Sequence, residues 1–239
     1  ALMIFLLIHT RVLHAQTIRR EEGILIDESA SISKGATKDL FQGYLRSTKT
    51  LLRTEPPNSR VWVSSIAADS FGGVREILKG QTPEVHGIFT DELNRAHREF
   101  ATTFEGRSSE LSPNANGTDI VGALWRFKAL FESLPNSSSP GEVPTRTLWI
   151  FSDMMNETPE FSMPKLLEVG PERMLERAKT SGLLVPLPHY QIYIYGASTG
   201  GLRPQAWIAI KHFWEMYFAA AGADLVTYSA ECDPQRSAN

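Results

Sequence analysis

From Gly23 onward, short apolar runs rich in branched residues alternate with longer segments of helical periodicity, and this alternation constrains the fold more than any other feature of the sequence. The runs Gly23–Asp27, Arg60–Ala67, Arg146–Ser152, Gln191–Tyr195 and Asp224–Tyr228 read as strands, with Gly73–Leu78 as a short edge strand. In the first of them Ile24, Leu25 and Ile26 are apolar at consecutive positions, as a strand buried on both faces requires. Between the strands, Thr37–Arg53 spaces Leu40, Phe41, Tyr44, Leu45, Leu51 and Leu52 at helical intervals until Pro56-Pro57-Asn58 stops it. Phe89–Phe104, Asp119–Ser133 and Pro204–Ala221 are further helices, and Leu166–Ser181 divides at Gly170-Pro171 into a short turn and a helix from Pro171. Strands and helices alternating at this pitch imply βαβ units and a mostly parallel sheet.

With 239 residues, 42% of them apolar, the chain has material for one sizeable core and hardly for two. Residues 16–239 are therefore read as a single domain. The net charge is −3 and the 24 basic residues are scattered, so no segment builds the positive field that a nucleic-acid backbone requires. Cys232, the single cysteine, excludes an internal disulfide framework and any multi-cysteine metal site, and reads as a small half-buried residue. Residues 1–15 stand apart. Ala1–Ile8 is a continuous apolar run, too short for the roughly 20 residues a bilayer span needs, and Ala15 offers a small residue before a cleavage point. The segment reads as the remnant of a secretory signal peptide, which places the protein in a secreted, periplasmic or extracellular setting, with a membrane tether as a variant. The other reading is an ordinary hydrophobic strand or helix packed on the domain, which would favour a cytoplasmic one.

In sheets of this kind ligands collect outside the carboxyl ends of the strands. The first strand runs into Asp27-Glu28-Ser29-Ala30-Ser31, a later loop presents Thr118 at a helix start, and the strand Arg146–Ser152 ends at Asp153. Asp27, Ser29, Ser31, Thr118 and Asp153 are all oxygen donors. Such a set suits a hard cation, Mg²⁺ with Mn²⁺ or Ca²⁺ as substitutes, and without clustered Cys or His it does not suit zinc. Two carboxylates and three neutral hydroxyls leave the ion's coordination incomplete, ready for one more anionic oxygen from a partner protein. Taken singly, each motif has a plainer role: the serines as caps, Thr118 as N-cap of the helix from Asp119, and Asp153 as a turn acid.

Together these motifs resemble the von Willebrand factor A family, whose metal-ion-dependent adhesion site reads Asp-x-Ser-x-Ser, then a Thr, then an Asp. The matching positions are Asp27, Ser29 and Ser31, Thr118 within Asn116-Gly117-Thr118-Asp119-Ile120, and Asp153 within Ile150-Phe151-Ser152-Asp153, and the resemblance spans about residues 23–229. It implies a three-layer α/β/α, doubly wound, mostly parallel six-stranded sheet with one short antiparallel edge strand. It also implies a divalent-cation-dependent protein-binding module, not an enzyme, in which Ser29 and Ser31 hold the ion directly and Asp27, Thr118 and Asp153 hold it directly or through water. The partner would supply an acidic residue. Two positions depart from the family pattern: Ala30 and Met154 stand where glycine is frequent, and the second gives the loop after Asp153 an unusual path. Gly80–Asn116 and Glu157–His189 are longer than a minimal domain requires.

Rival readings fare less well. A metal-dependent phosphotransferase of the haloacid dehalogenase type needs a second acid two residues after its nucleophile, where this chain has Ser29. Gly196-Ala197-Ser198-Thr199-Gly200-Gly201 reads as a strand-to-helix connection, since Pro204 stands where phosphate-facing amides are wanted. The six histidines are dispersed, with no Ser-His-acid spacing. The aromatic residues of Pro204–Ala221 read as core. The sequons at Asn116 and Asn156 read as unused. An intracellular scaffold subunit of a multiprotein complex is the remaining alternative, separated from the adhesion-like reading by export.

Overall fold

The computed structural model describes residues 18–33, 39–73, 75–85, 90–113, 116–133, 144–198 and 200–234. The apolar run at residues 1–8 and the cleavage point at Ala15 lie outside the described residues. Six strands form one sheet: β1 (Arg20–Asp27), β2 (Ser59–Ile66), β3 (Glu76–Gln81), β4 (Thr145–Phe151), β5 (Tyr190–Tyr195) and β6 (Asp224–Ser229). The helices are α1 (Leu40–Thr54), α2 (Asp91–Ser108), α3 (Ile120–Ser133), α4 (Met163–Val169), α5 (Pro171–Thr180) and α6 (Pro204–Ala221). The strand order is β3-β2-β1-β4-β5-β6, with every neighbouring pair parallel except β2 and β3. This is the expected doubly wound α/β sheet with its antiparallel edge.

The central strand explains the two apolar layers. Ile24 and Ile26 face one side, where they meet Phe41, Tyr44 and Leu52 of α1 and Phe104 of α2. Leu25 faces the other, against a cluster built from α3, α4, α5 and α6 that includes Phe127, Leu166, Met174 and Trp214. Alternation along one strand thus loads both faces of the sheet, and two helical layers cover them. Gly23 allows the closest approach: a Cβ there would lie 2.5 Å from Leu148 and from the Phe127 ring. Its absence lets α3 settle on β1, and the fully enclosed Phe127 side chain contributes about 1.5–3 kcal/mol of burial.

The structure shifts several element boundaries. β1 starts at Arg20, three residues before the apolar run, because Glu21 is held by Arg60 of β2 at 3.5 Å and Arg146 of β4 at 3.0 Å. Those ion pairs let a charged segment enter the sheet, which hydrophobic patterning passes over. The short turn expected at Leu166–Gly170 is instead the end of α4, a helix of seven residues that buries Met163 and Leu166. Gly170 at φ 89° ends it and Pro171 starts α5. β3 begins at Glu76, where pairing with Ser64 starts. Among the described residues no helix is long and apolar enough to cross a membrane.

Reading outward from the centre, the strand order reverses between β1 and β4. Crossover connections leave these two strands in opposite directions, so a crevice opens outside their carboxyl ends. Asp27 ends β1 and Asp153 follows β4 by two residues, so both carboxylates enter that crevice.

Candidate functional site

The backbone turns sharply after Asp27, and the side chain of Asp27 holds the turn. The amide of Ser29 donates to Asp27 Oδ1 at 2.7 Å, an Asx turn, and the chain continues into a single 3₁₀ turn, Ala30–Ser33. That winding brings the hydroxyls of Ser29 and Ser31 to 2.8 Å from one another. Asp27 is fully enclosed and Ser29 nearly so, whereas Ser31 is exposed. The cluster therefore runs from a buried carboxylate floor to a solvent-facing hydroxyl rim.

β4 supplies the opposite wall. Ser152 donates its hydroxyl to Asp27 Oδ2 at 2.6 Å, Asp153 Oδ1 accepts the amide of Met155 at 3.0 Å, and the Asp153 carboxyl also interacts with the Ser31 hydroxyl. Met154 adopts φ 64°, the left-handed region that favours glycine, and is fully buried. The unusual path expected after Asp153 is real. Trp214 Nε1 donates to the Met154 carbonyl at 3.0 Å and the Ser152 hydroxyl accepts the Met154 amide at 2.9 Å, so packing holds the strained residue.

Thr118 is buried, and its backbone ties it to both neighbouring loops. Its carbonyl accepts the amide of Glu157 at 2.8 Å, and the amide of Asp119 donates to Ala67, just past β2, at 2.8 Å. Helix α3 begins at Ile120, and its cap is Asp119, whose Oδ1 accepts the amide of Gly122 at 2.8 Å. Asn156 completes the job, with Oδ1 accepting the amides of Ile120 at 2.8 Å and Val121 at 3.3 Å. The capping role expected of Thr118 thus falls to Asp119 and Asn156. Asn156 is also fully buried, which explains why its sequon is unfit for a glycan.

Asp27, Ser29, Ser31 and Asp153 are joined by side-chain contacts, whereas the backbone of Thr118 is tied to Glu157 in the loop after β4. Sequence reasoning missed Ser152, Asp119 and Asn156. Ser152 stands directly before Asp153, and an enclosed hydroxyl beside a strand-end acid is the signal that marks it.

Electrostatically the floor is under strain. Burial, followed by the charge of Asp153, pushes Asp27 up to about 7 against the Ser152 hydroxyl and the Ser29 amide that hold it down. Burial also raises Asp153, opposed by the Ser31 hydroxyl and the Met155 amide. Among the described residues no cationic side chain is one of the groups that set either pKa. Two carboxyl groups buried together with no counter-charge among the described residues, and bordered by hydroxyl oxygens, are a donor set of the kind a hard divalent ion takes. Among the described residues no cluster of three or more His, Cys, Asp or Glu is placed to hold a metal, so an ion here would draw its remaining protein oxygens from the hydroxyls.

No protein-family model matches the chain and no curated protein matches it. Similar folds occur among solved structures. The SpRpn10 VWA domain is 11% identical with a TM-score of 0.44, covering 90% of each chain. The conserved hypothetical protein BatB from Bacteroides thetaiotaomicron is 16% identical with a TM-score of 0.45, covering 92% of this chain and 94% of that one. Proximal thread matrix protein 1 from the mussel byssus is 14% identical with a TM-score of 0.37 over 75% of this chain, which spans 38% of the mussel protein's length.

Proposed function

We propose that this chain is a divalent-cation-dependent protein-binding module, with Asp27, Ser29, Ser31, Thr118 and Asp153 holding one Mg²⁺, or Mn²⁺ or Ca²⁺ in its place. The observation that carries the reading is the buried pair Asp27 and Asp153, set side by side at the switch point of the sheet with neutral hydroxyls above them. When bound, the ion supplies a positive charge with an open position for a carboxylate from a partner protein. The chain's own residues do the rest. Ser152 and the Ser29 amide fix the orientation of Asp27, the Met155 amide fixes Asp153, and the contact between Ser29 and Ser31 sets the rim.

Binding, not catalysis, is what the surroundings support. His97 contacts the Glu55 carbonyl at 2.8 Å and His212 lies beside Glu172 and Glu215, so neither stands next to the serines as a base would. The resemblance of the motif points the same way. The test is a pull-down from the native source with wild-type protein and with Asp153→Ala, each in Mg²⁺ and in EDTA. A partner captured by wild type in Mg²⁺ and lost in both other arms is the expected result. A partner retained in EDTA and by Asp153→Ala contradicts the reading.

A further inference from the structure

A cavity of about 620 Å³ opens beside the Thr118 loop. Phe71, Val121, Trp125, Pro159, Phe161 and Leu183 give it an apolar lining contributed by four separate stretches of chain. Asp69, Asp119 and Glu160 are its only charged lining residues among the described residues, so the charge they bring is negative. The volume lies within the range of roughly 300–1,000 Å³ typical of sites that enclose small ligands. Phe71 is 68% exposed, a large aromatic left in water at the rim.

The cavity is built rigidly. Asp119 Oδ2 accepts the amides of Ser70 at 3.0 Å and Phe71 at 3.3 Å, while Oδ1 caps α3, so one buried carboxylate fixes the Phe71 loop to the helix. A Cβ at Gly122 would lie 2.7 Å from the Phe71 amide, which shows how closely the two backbones meet. With Asp119 committed to amides and Asp69 Oδ1 accepting the amide of Gly72 at 2.7 Å, Asp69 Oδ2 and the exposed carboxylate of Glu160 carry the charge left for a ligand. The cavity also shares a wall with the proposed ion site. Asp119 directly follows Thr118, a Cβ on Gly117 would lie 3.6 Å from Ala68 in the lining, and Thr158 follows Glu157, whose amide holds the Thr118 carbonyl.

We infer that this cavity is a side-chain pocket for the partner: it takes an aromatic or branched aliphatic side chain that lies close in sequence to the ion-bound carboxylate, with a neighbouring Lys or Arg meeting Asp69 and Glu160. The inference rests on the cation-dependent reading for the carboxylate, and on the cavity alone for the apolar and basic residues. Chemically, the pocket complements the ion. The ion recognises any accessible carboxylate, whereas the pocket selects what stands beside it.

The test uses amide spectra of the ¹⁵N-labelled full chain, titrated with acetyl-Phe-Arg-amide, acetyl-Phe-Glu-amide and acetyl-Asp-Phe-Arg-amide, each with Mg²⁺ and with EDTA. Acetyl-Phe-Arg-amide is expected to shift the amides of Phe71, Val121, Gly122 and Leu183 saturably in both conditions. In EDTA it should bind up to about fivefold more tightly than acetyl-Phe-Glu-amide, the gain an exposed ion pair allows. Phe71→Ala, at an exposed position, and Leu183→Arg, which places a cation in the lining, should each weaken it while leaving the Mg²⁺ response of thermal stability intact. Acetyl-Asp-Phe-Arg-amide should gain affinity in Mg²⁺ alone. Silence of the lining amides toward all three peptides, binding undiminished in both variants, or a preference for the Glu peptide in EDTA overturns the pocket. Lining shifts with acetyl-Phe-Arg-amide but no gain from Mg²⁺ with acetyl-Asp-Phe-Arg-amide uphold the pocket and instead sink the cation reading.

Discussion

Two pairs of buried carboxyl groups each have one member on the central strand, Glu22 and Asp27, roughly 16 Å apart by residue count, and the two pairs pose one electrostatic problem in different surroundings. Near the start of β1, Glu22 faces Glu55, the residue that ends α1, and both are nearly enclosed. Burial raises Glu55 well above the usual carboxylate range, with the charge of Glu22 adding to it, and burial likewise raises Glu22. Trp149 Nε1 donates to Glu22 Oε2 at 2.9 Å, and the Trp149 ring stacks on Tyr193 at 4.3 Å, so the pair is roofed by aromatic rings. The Glu22 and Glu55 side chains also interact directly in a way that raises Glu55 and lowers Glu22, so a proton retained on Glu55 is donated to Glu22. At the other end, Asp27 and Asp153 have hydroxyls where the first pair has rings, and Ser31 opens them to solvent. On the proposed reading, the closed acid pair is relieved by a proton and the open one, lined with oxygens, by a dication. A raised carboxyl pKa by itself therefore marks no ion site, and the proposed site rests on the second ring of oxygens.

Adding Mg²⁺ should break the symmetry between the pairs most visibly. At an ion concentration of about 100 times Kd, binding to the folded state alone stabilises it by about 2.7 kcal/mol, which in a chain of this size raises Tm by about 5–10 °C. Differential scanning fluorimetry should show that rise in wild type, Glu22→Gln and Glu55→Gln, and none in Asp27→Asn or Asp153→Asn. A response lost on changing Glu55, or kept on changing Asp27, would erase the distinction.

The pH dependence sharpens it. Asp27 moves from an ordinary value near 3.8 to about 7 on folding, so between those limits the cation-free folded state binds more protons than the unfolded chain. Stability from this group is complete below the unfolded value and is lost as pH rises through about 7, a fall of about 2 kcal/mol between about pH 5 and pH 7. Glu22 and Glu55 act with the same sign. Urea unfolding across this range should flatten in part with saturating Mg²⁺ and in part with Glu55→Gln, the two effects adding because the sites are far apart.

Smaller effects test the two roofs. Trp149→Phe removes the indole donor from Glu22 and should cost about 1–2 kcal/mol in urea unfolding, without altering the Mg²⁺ response. Ser31→Ala, at an exposed position, should change cation-free stability by no more than about 0.5 kcal/mol and still weaken Mg²⁺ binding severalfold, read by calorimetric titration.

Period and turn chemistry made the sheet legible in the sequence, since Ile24-Leu25-Ile26 has to be buried on both faces and every later parallel strand follows a helical segment. The charged start of β1 was hidden because its stabilising partners, Arg60 and Arg146, are distant in sequence. Helix α4 was hidden because seven residues leave too short a periodic pattern to count. In the site, Asp27, Ser29 and Ser31 were legible as one local turn, and Met154 as a residue that breaks a glycine pattern. The capping by Asp119 and Asn156 was not, because Asn156 reaches α3 from the loop after β4. The cavity was illegible for the same reason, its walls coming from segments that only folding brings together.

Calorimetric titration of Mg²⁺ at pH 7, repeated in buffers of different ionisation enthalpy, tests most directly whether the crevice holds an ion. With Asp27 near 7 in the free protein, one ion should bind per chain and displace about half a proton, and Asp27→Asn should abolish both the binding and the proton release. No binding by wild type, or equal binding by Asp27→Asn, would contradict the account.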